Sequence, residues 1–337
     1  MKGCLGSLRR RITGGGIALL AVAAAGWAMP AQAATPAVGG TAIDAVGHPA
    51  VVAMPAVSGP RTAGPKQSAP LHPMNPTALA EAKRRAGAAV AAAVGPHLAA
   101  NPAAAPAPSA GVAGGLDKPG LSAADEGYSS TPPDTTGAIG PSHYVEFVNT
   151  TIAVYDRNLN QVSRLDMASF VGAAGGLNVS DPQVQWDPRG GRWFYAGVAF
   201  ATHNNNLAFG WSKTADPSDL AAGWCRFSVP LGNSLPDYPK LGHDDNFVTF
   251  GANLYDDSTG GFIFTTAAIW ALPKPPVGSQ ACSAGGLTAF ADAQHPLHNA
   301  DGSLAFTPVP ANSSDATGVG YVVAGHSPVP EGGARIG

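Results

Sequence analysis

Charge is scarce in this chain. Its 19 Lys and Arg and 22 Asp and Glu make up 12% of 337 residues, about half the share of an ordinary soluble domain. Four of the basic residues, Lys2, Arg9, Arg10 and Arg11, lie in the first 33 positions, where there is no acidic residue; the remainder holds 15 basic against 22 acidic groups, a net −7. No basic patch is left to track a phosphate backbone, so nucleic acid is excluded as a partner. From Tyr128 onward there are six arginines (Arg157, Arg164, Arg189, Arg192, Arg226 and Arg335) and two glutamates, Glu146 and Glu331. The same region has no G-x-S-x-G elbow, no H-E-x-x-H helix and no phosphate loop. Those absences remove the commonest esterase, zinc-protease and nucleotide chemistries. Cysteine is nearly missing too, with Cys4, Cys225 and Cys282 in all.

What is present divides the chain into three. Residues 1–33 have a basic start, an apolar run from Ile17 to Met29, and Ala31-Gln32-Ala33 as a small-x-small cleavage pattern. That is the form of a secretory signal peptide, too short for a membrane span, so the mature chain is expected outside the cell with no transmembrane segment. The paired arginines leave both the general and the twin-arginine route open. Residues 34–127 are mostly Ala, Pro, Gly and Val. They offer little to pack and are expected to form a disordered linker or pro-segment, with a marginal alanine-driven helix over Thr77–Val94. Residues 128–337 form the folded domain.

That domain is organised around SDPQVQWDPRGGRWFYAGVAF, Ser180 to Phe200. Val184 and Trp186 alternate with polar neighbours as in a half-buried strand. Pro188 to Gly191 reverse the chain, and Trp193 to Phe200 return as an aromatic, β-branched partner. Weaker copies open at Asp134 and Asp237, and a partial fourth begins at Phe306-Thr307-Pro308. The steps Asp134 to Asp181 and Asp181 to Asp237 are 47 and 56 residues. A repeat of that length with about four short strands is a propeller blade, which buries its faces only by stacking on its neighbours. An all-β propeller is therefore expected. Its fourth unit stops after part of a blade, which leaves an open strand edge and suggests a fragment of a longer product.

The strings PPDTTGAIGPSHYVEFVNTTIAVYD, DPQVQWDPRGGRWFYAG and PDYPKLG, in that order, resemble the secreted bacterial β-propeller proteins related in fold to sialidases and Asp-box proteins. The resemblance runs from Pro132 to roughly Ala324 and implies a sialidase-like propeller. Ser212, Asp216, Gly223 and Trp224 approximate the Asp-box, which in that family is a structural hairpin. A true sialidase needs an arginine triad, a Tyr–Glu nucleophile pair and an acidic donor, and so few Arg and Glu argue against one.

Three groups of residues are candidates for function. Asp134, Asp181 and Asp237 each enter the innermost strand of a blade. They could gather at the channel as the acid and base of a glycoside hydrolase, or simply cap turns beside proline. His143 with His243, Asp244 and Asp245 could ligate a ligand or a divalent ion, or form polar loops; no other cofactor is implied. Asp256 to Gly261 reads as a hairpin turn, and His295 and His298 as solvated. Trp186, Trp193, Trp211, Trp224 and Trp270 pack between blades or offer a sugar platform. The expected function is a non-enzymatic binding or scaffold module for glycan, peptide or cell-wall ligand, with glycoside hydrolase as the alternative. Cys225 and Cys282, an even pair in an exported chain, are expected to form a disulfide from the outer strand of blade two to the connection after blade three.

Overall fold

A computed structural model of the protein describes residues 43–55, 115–122, 125, 132–173, 176–259, 261–313 and 319–326. The expected signal peptide and the Thr77–Val94 helix lie outside the described residues.

A two-residue strand, β1 (Val52–Ala53), precedes four antiparallel sheets. Blade one is β2 (Thr136–Ile139), β3 (His143–Val148), β4 (Thr151–Asp156) and β5 (Gln161–Asp166), followed by one helical turn, α1 (Met167–Phe170). Blade two is β6 (Asn178–Asp187), β7 (Arg192–Ala201), β8 (Asn204–Ser212) and β9 (Trp224–Gly232). Blade three is β10 (Ser234–His243), β11 (Phe247–Asp256), β12 (Ile263–Pro273) and β13 (Thr288–Ala289). The fourth sheet pairs β14 (Ala305–Pro310) with β15 (Val322–His326). Each sheet pairs its strands in sequence order, and its first strand lies beside the first strand of the next: β2 by β6, β6 by β10, β10 by β14. Consecutive four-stranded sheets with neighbouring inner strands are the architecture of a β-propeller.

Blade two holds the stack together because both of its faces are covered. Along β7, Trp193 and Tyr195 point to one side and meet Val145, Phe147, Ile152, Val154 and Phe170 of blade one. Phe194 and Ala196 point to the other side and join Leu241, Phe250, Leu254, Trp270 and Leu272 of blade three. Side chains alternate along a strand, so a strand buried on both faces must be apolar at every position. This is why WFYAGVAF has no polar interruption. Trp193, Trp211, Trp224 and Trp270 are buried in these interfaces. Arg226, also buried, donates to the carbonyls of Phe170, Trp224 and Leu220 and lies over the Phe170 ring. It fastens β9 to the α1 turn of blade one.

Blades three and four approach so closely that only glycine fits at position 251, where a β-carbon would run into the Pro308 carbonyl. Gly251→Ala must push β14 away from β11, and overpacking of this kind costs about 1–3 kcal/mol. Urea unfolding should show that loss; an unchanged midpoint would mean that the two sheets are not packed this way.

Cys225 and Cys282 form the expected disulfide, with Cα atoms 5.2 Å apart. The expectation of a disordered spacer fails for two stretches. Residues 43–55 run along the outer strands of blades two and three, where β1 pairs with β9. Near residue 121 the chain crosses blade one, where the Leu121 N–H donates to Glu146 Oε2. Composition could not show this. The first stretch docks by backbone hydrogen bonds to strand edges and the second by a backbone donor to a carboxylate, with Val46 and Val51 adding apolar contact. Among the described residues no helix is long and apolar enough to cross a membrane.

Candidate functional site

The inner strands share one irregularity. The pairing of β6 with β7 shifts between Ser180 and Gln183, that of β10 with β11 between Asp237 and Lys240, and that of β14 with β15 between Phe306 and Val309. The first extra residue of each bulge has a positive φ: Asp181 at 52°, Tyr238 at 48° and Thr307 at 51°, with Asp134 at 48° just before β2. Such angles are uncommon outside glycine and cost on the order of 1–3 kcal/mol unless held in place. Asparagines from the preceding blade hold two of them. Asn149 Oδ1 accepts the Asp181 N–H at 2.7 Å, and Asn253 Oδ1 accepts the Thr307 N–H at 2.7 Å. Blade two has Val198 at the matching position, packed with Leu235, Tyr255 and Phe264.

The repeat therefore differs by one residue from the expected one. Asp134 and Asp181 are equivalent, but Tyr238 is their counterpart in blade three. Asp237 occupies the position of Ser180, and it pairs with Asn253 as Ser180 pairs with Val198.

The three aspartates still converge. Asn149 Nδ2 donates to Asp134 Oδ2 at 2.7 Å, and Ser180 Oγ donates to Asp181 Oδ2 at 3.2 Å. The Asp134 and Asp181 carboxyls are within hydrogen-bond reach of each other. Burial, and then the charges of Asp237 and Asp134, push Asp181 up to about 8. It is 2% exposed. Two residues that the sequence reading passed over complete the cluster. Lys240 lies with its ammonium over the Tyr238 ring. Burial pulls it down to about 8, although the carboxylates of Asp181, Asp237 and Asp134 act the other way. Tyr238 is 41% exposed and lies near the Asp134 and Asp181 carboxyls, with Lys240 over one face of its ring. Buried Tyr255 is held in its neutral form by burial and by the charge of Asp237. Aligning Pro182, Pro239 and Pro308, instead of the aspartates, would have placed Tyr238 in the column of Asp181.

The histidine group lies elsewhere. Asp181 and Asp237 sit near the start of their ten-residue inner strands and Asp187 and His243 at the end, six residues or about 20 Å farther along. There His143 faces Asp216 at 3.9 Å, while His243 sits by Lys274, so the two histidines have separate neighbours. Asp244 Oδ1 accepts the N–H groups of Asn246 and Phe247, a turn closure, and Asp245 pairs with Arg189. Among the described residues no group of three His, Cys, Asp or Glu could hold a metal ion. Ser212, Asp216 and Trp224 make hydrogen bonds within the β8–β9 loop, from Ser212 Oγ to Thr214 O and from Trp224 Nε1 to Pro217 O. Asp256 closes its turn through Ser258, and His295 and His298 are exposed.

No family model matches this chain, and no curated protein does. Among solved structures it is similar to a GH43 endo-arabinanase from Bacillus licheniformis, at 12% identity and TM-score 0.32, over 60% of this chain and 76% of that one. It is also similar to the native arabinanase of Bacillus subtilis, at 11% identity and TM-score 0.22, over 57% and 93%.

Proposed function

We propose that the protein is an exported binding module that takes a glycan at the channel mouth formed by Asp134, Asp181, Asp237, Tyr238 and Lys240. The observation that carries this reading is Tyr238, an aromatic ring held in a strained conformation and open to solvent beside fixed carboxyls. Strain at a bulky residue is a pointer to function. An amphipathic ring suits the apolar face of a sugar, while carboxylates and an ammonium suit its hydroxyls. A peptide or a cell-wall polymer are the other partners to test.

A hydrolase is the second reading. A buried carboxyl raised well above its ordinary value, as Asp181 is, is the form a general acid takes. Against it stands the spacing. Glycosidase carboxyls are about 5–5.5 Å apart when configuration is retained and roughly 6.5–9.5 Å when it is inverted. Asp134 and Asp181 are within hydrogen-bond reach of each other, closer than either spacing.

A glycan array beside a panel of chromogenic glycosides separates the two. Tyr238→Ala should weaken glycan binding roughly tenfold, the value of one lost aromatic stack, with no turnover in either protein. Turnover that vanishes in Asp181→Asn would replace binding by hydrolysis.

A further inference from the structure

The leader residues 46–54 lie across the outer rims of two blades. At one end, the Val46 N–H donates to the Ala289 carbonyl at 2.9 Å, the Ala289 N–H donates to the Gly47 carbonyl at 2.9 Å, and His48 Nδ1 lies 3.1 Å from the Leu287 carbonyl. At the other end, Val52 pairs with Ser228 and Ala53 with Phe227, and the Met54 N–H donates to the Arg226 carbonyl at 3.0 Å. The first anchor is β13 of blade three; the second is β9 of blade two.

Neither anchor is strong by itself. Strand β1 has two residues, and β13 is held to its own sheet by two pairs, Trp270 with Ala289 and Ala271 with Thr288. Between β12 and β13 the chain is irregular from 274 to 287; Arg192 of blade two donates to its Pro276 and Ser279 carbonyls, and Ala284 and Leu287 are buried in the core. The Cys225–Cys282 bridge adds the covalent tie between the two edges. Cys225 adjoins Arg226, the second anchor, and Cys282 lies six residues before Thr288, at the first. Val46 and Val51 of the leader are half-buried against the cluster that contains Cys225, Ala284, Leu287 and Ala289.

We infer that residues 46–54 are a strap whose docking is gated by the Cys225–Cys282 disulfide. The bridge sets the distance between the two edges that the strap must span. Oxidation transfers two electrons from the two thiols, with loss of two protons, to a disulfide oxidant that leaves as two thiols; both docking edges then stand in register. Reduction removes the covalent tie between the two edges, and the strap keeps only one anchor in register. Coupling between two binding events is reciprocal, so the docked strap in turn protects the bridge. Cys282 is exposed and Cys225 is buried, so a thiolate reaches the bridge from the Cys282 side.

Two measurements on the full exported chain test this. Hydrogen exchange read by mass spectrometry should show residues 43–55 protected when the bridge is intact. Dithiothreitol, which reduces the bridge to two thiols and departs as a cyclic disulfide, should lower that protection at least tenfold while peptides containing Phe209 and Trp211 stay protected. In the reciprocal arm, Met54→Pro removes the N–H that binds the Arg226 carbonyl. Alkylation and mass analysis should then show the bridge reduced several times faster than in the parent. Unchanged protection after reduction overturns the proposal, and so does an equal reduction rate in Met54→Pro. If reduction also exposes the Phe209 and Trp211 peptides, the Met54→Pro rate alone decides.

Discussion

Asp181→Asn is expected to make the domain more stable at pH 8 and to leave it nearly unchanged at pH 4. In the folded chain Asp181 is raised to about 8 by burial and by the charges of Asp237 and Asp134; unfolded, an aspartate titrates near 3.9. Between those values the native state holds a proton that the unfolded state has released. Stability must then fall as pH rises, from about 4 to about 8, and level off above. A group shifted this way loses on the order of 1 kcal/mol per pH unit across the window. Asparagine has the same shape, has no charge to bury and tolerates positive φ. Its amide can donate to Asp134 at every pH, whereas the Asp181 carboxyl can do so only while protonated.

The comparison is read as the difference between two stability curves, so that other titrating groups cancel. The gap should widen steadily from pH 4 to pH 8 and reach roughly 5 °C or more in thermal midpoint at the upper end. Parallel curves would show that Asp181 is not raised in the native protein. Above pH 8 an opposite slope enters from Lys240, lowered to about 8 by burial. Between there and about 10.4 the unfolded state holds the extra proton, so stability rises with pH in that range.

Much of the fold can be read in the sequence, because stacking two faces of a sheet leaves a pattern. The uninterrupted apolar run from Trp193 to Phe200 and the reversal at Pro188–Gly191 marked β6 and β7, and their weaker copies marked the other blades. What escaped left no periodic trace. The strap docks through backbone groups at Arg226, Gly47 and Ala289, which any residue carries. The single turn α1 depends on Asp166, whose carboxylate accepts the Ser169 N–H. The candidate site was half legible. Asp beside Pro signalled the inner strands, but a bulge adds one residue, and one residue in a strand changes which side chain faces the channel. Asp237 was therefore aligned with Asp181, while Tyr238 and Lys240, the residues that differ most from a turn cap, were passed over.

At the far end of the same strands, Lys274→Met should cost about 3–5 kcal/mol. Lys274 Nζ lies 2.8 Å from Asp187 Oδ2, and their side chains are 9% and 1% exposed. Burial alone would raise Asp187, but the hydrogen bond and charge of Lys274 outweigh it and hold the carboxyl below its ordinary value. Methionine keeps the length of the side chain and removes the ammonium, so an unpaired carboxylate stays buried, the costliest way to break an ion pair. Removing both charges, as Asp187→Asn with Lys274→Met, should recover most of the loss, since a neutral pair has no charge to desolvate. Urea unfolding of the single and double variants measures this. His243 gives an independent reading. Burial, and then the charge of Lys274, hold its imidazole below the usual histidine range, with Asp187 acting the other way. Without Lys274 and with Asp187 still charged, its titration followed by NMR should move upward; in the double variant it should move less. A loss under about 1 kcal/mol in Lys274→Met, with His243 unmoved, would mean that water already reaches the pair and that this end of the strands is open enough to hold a ligand.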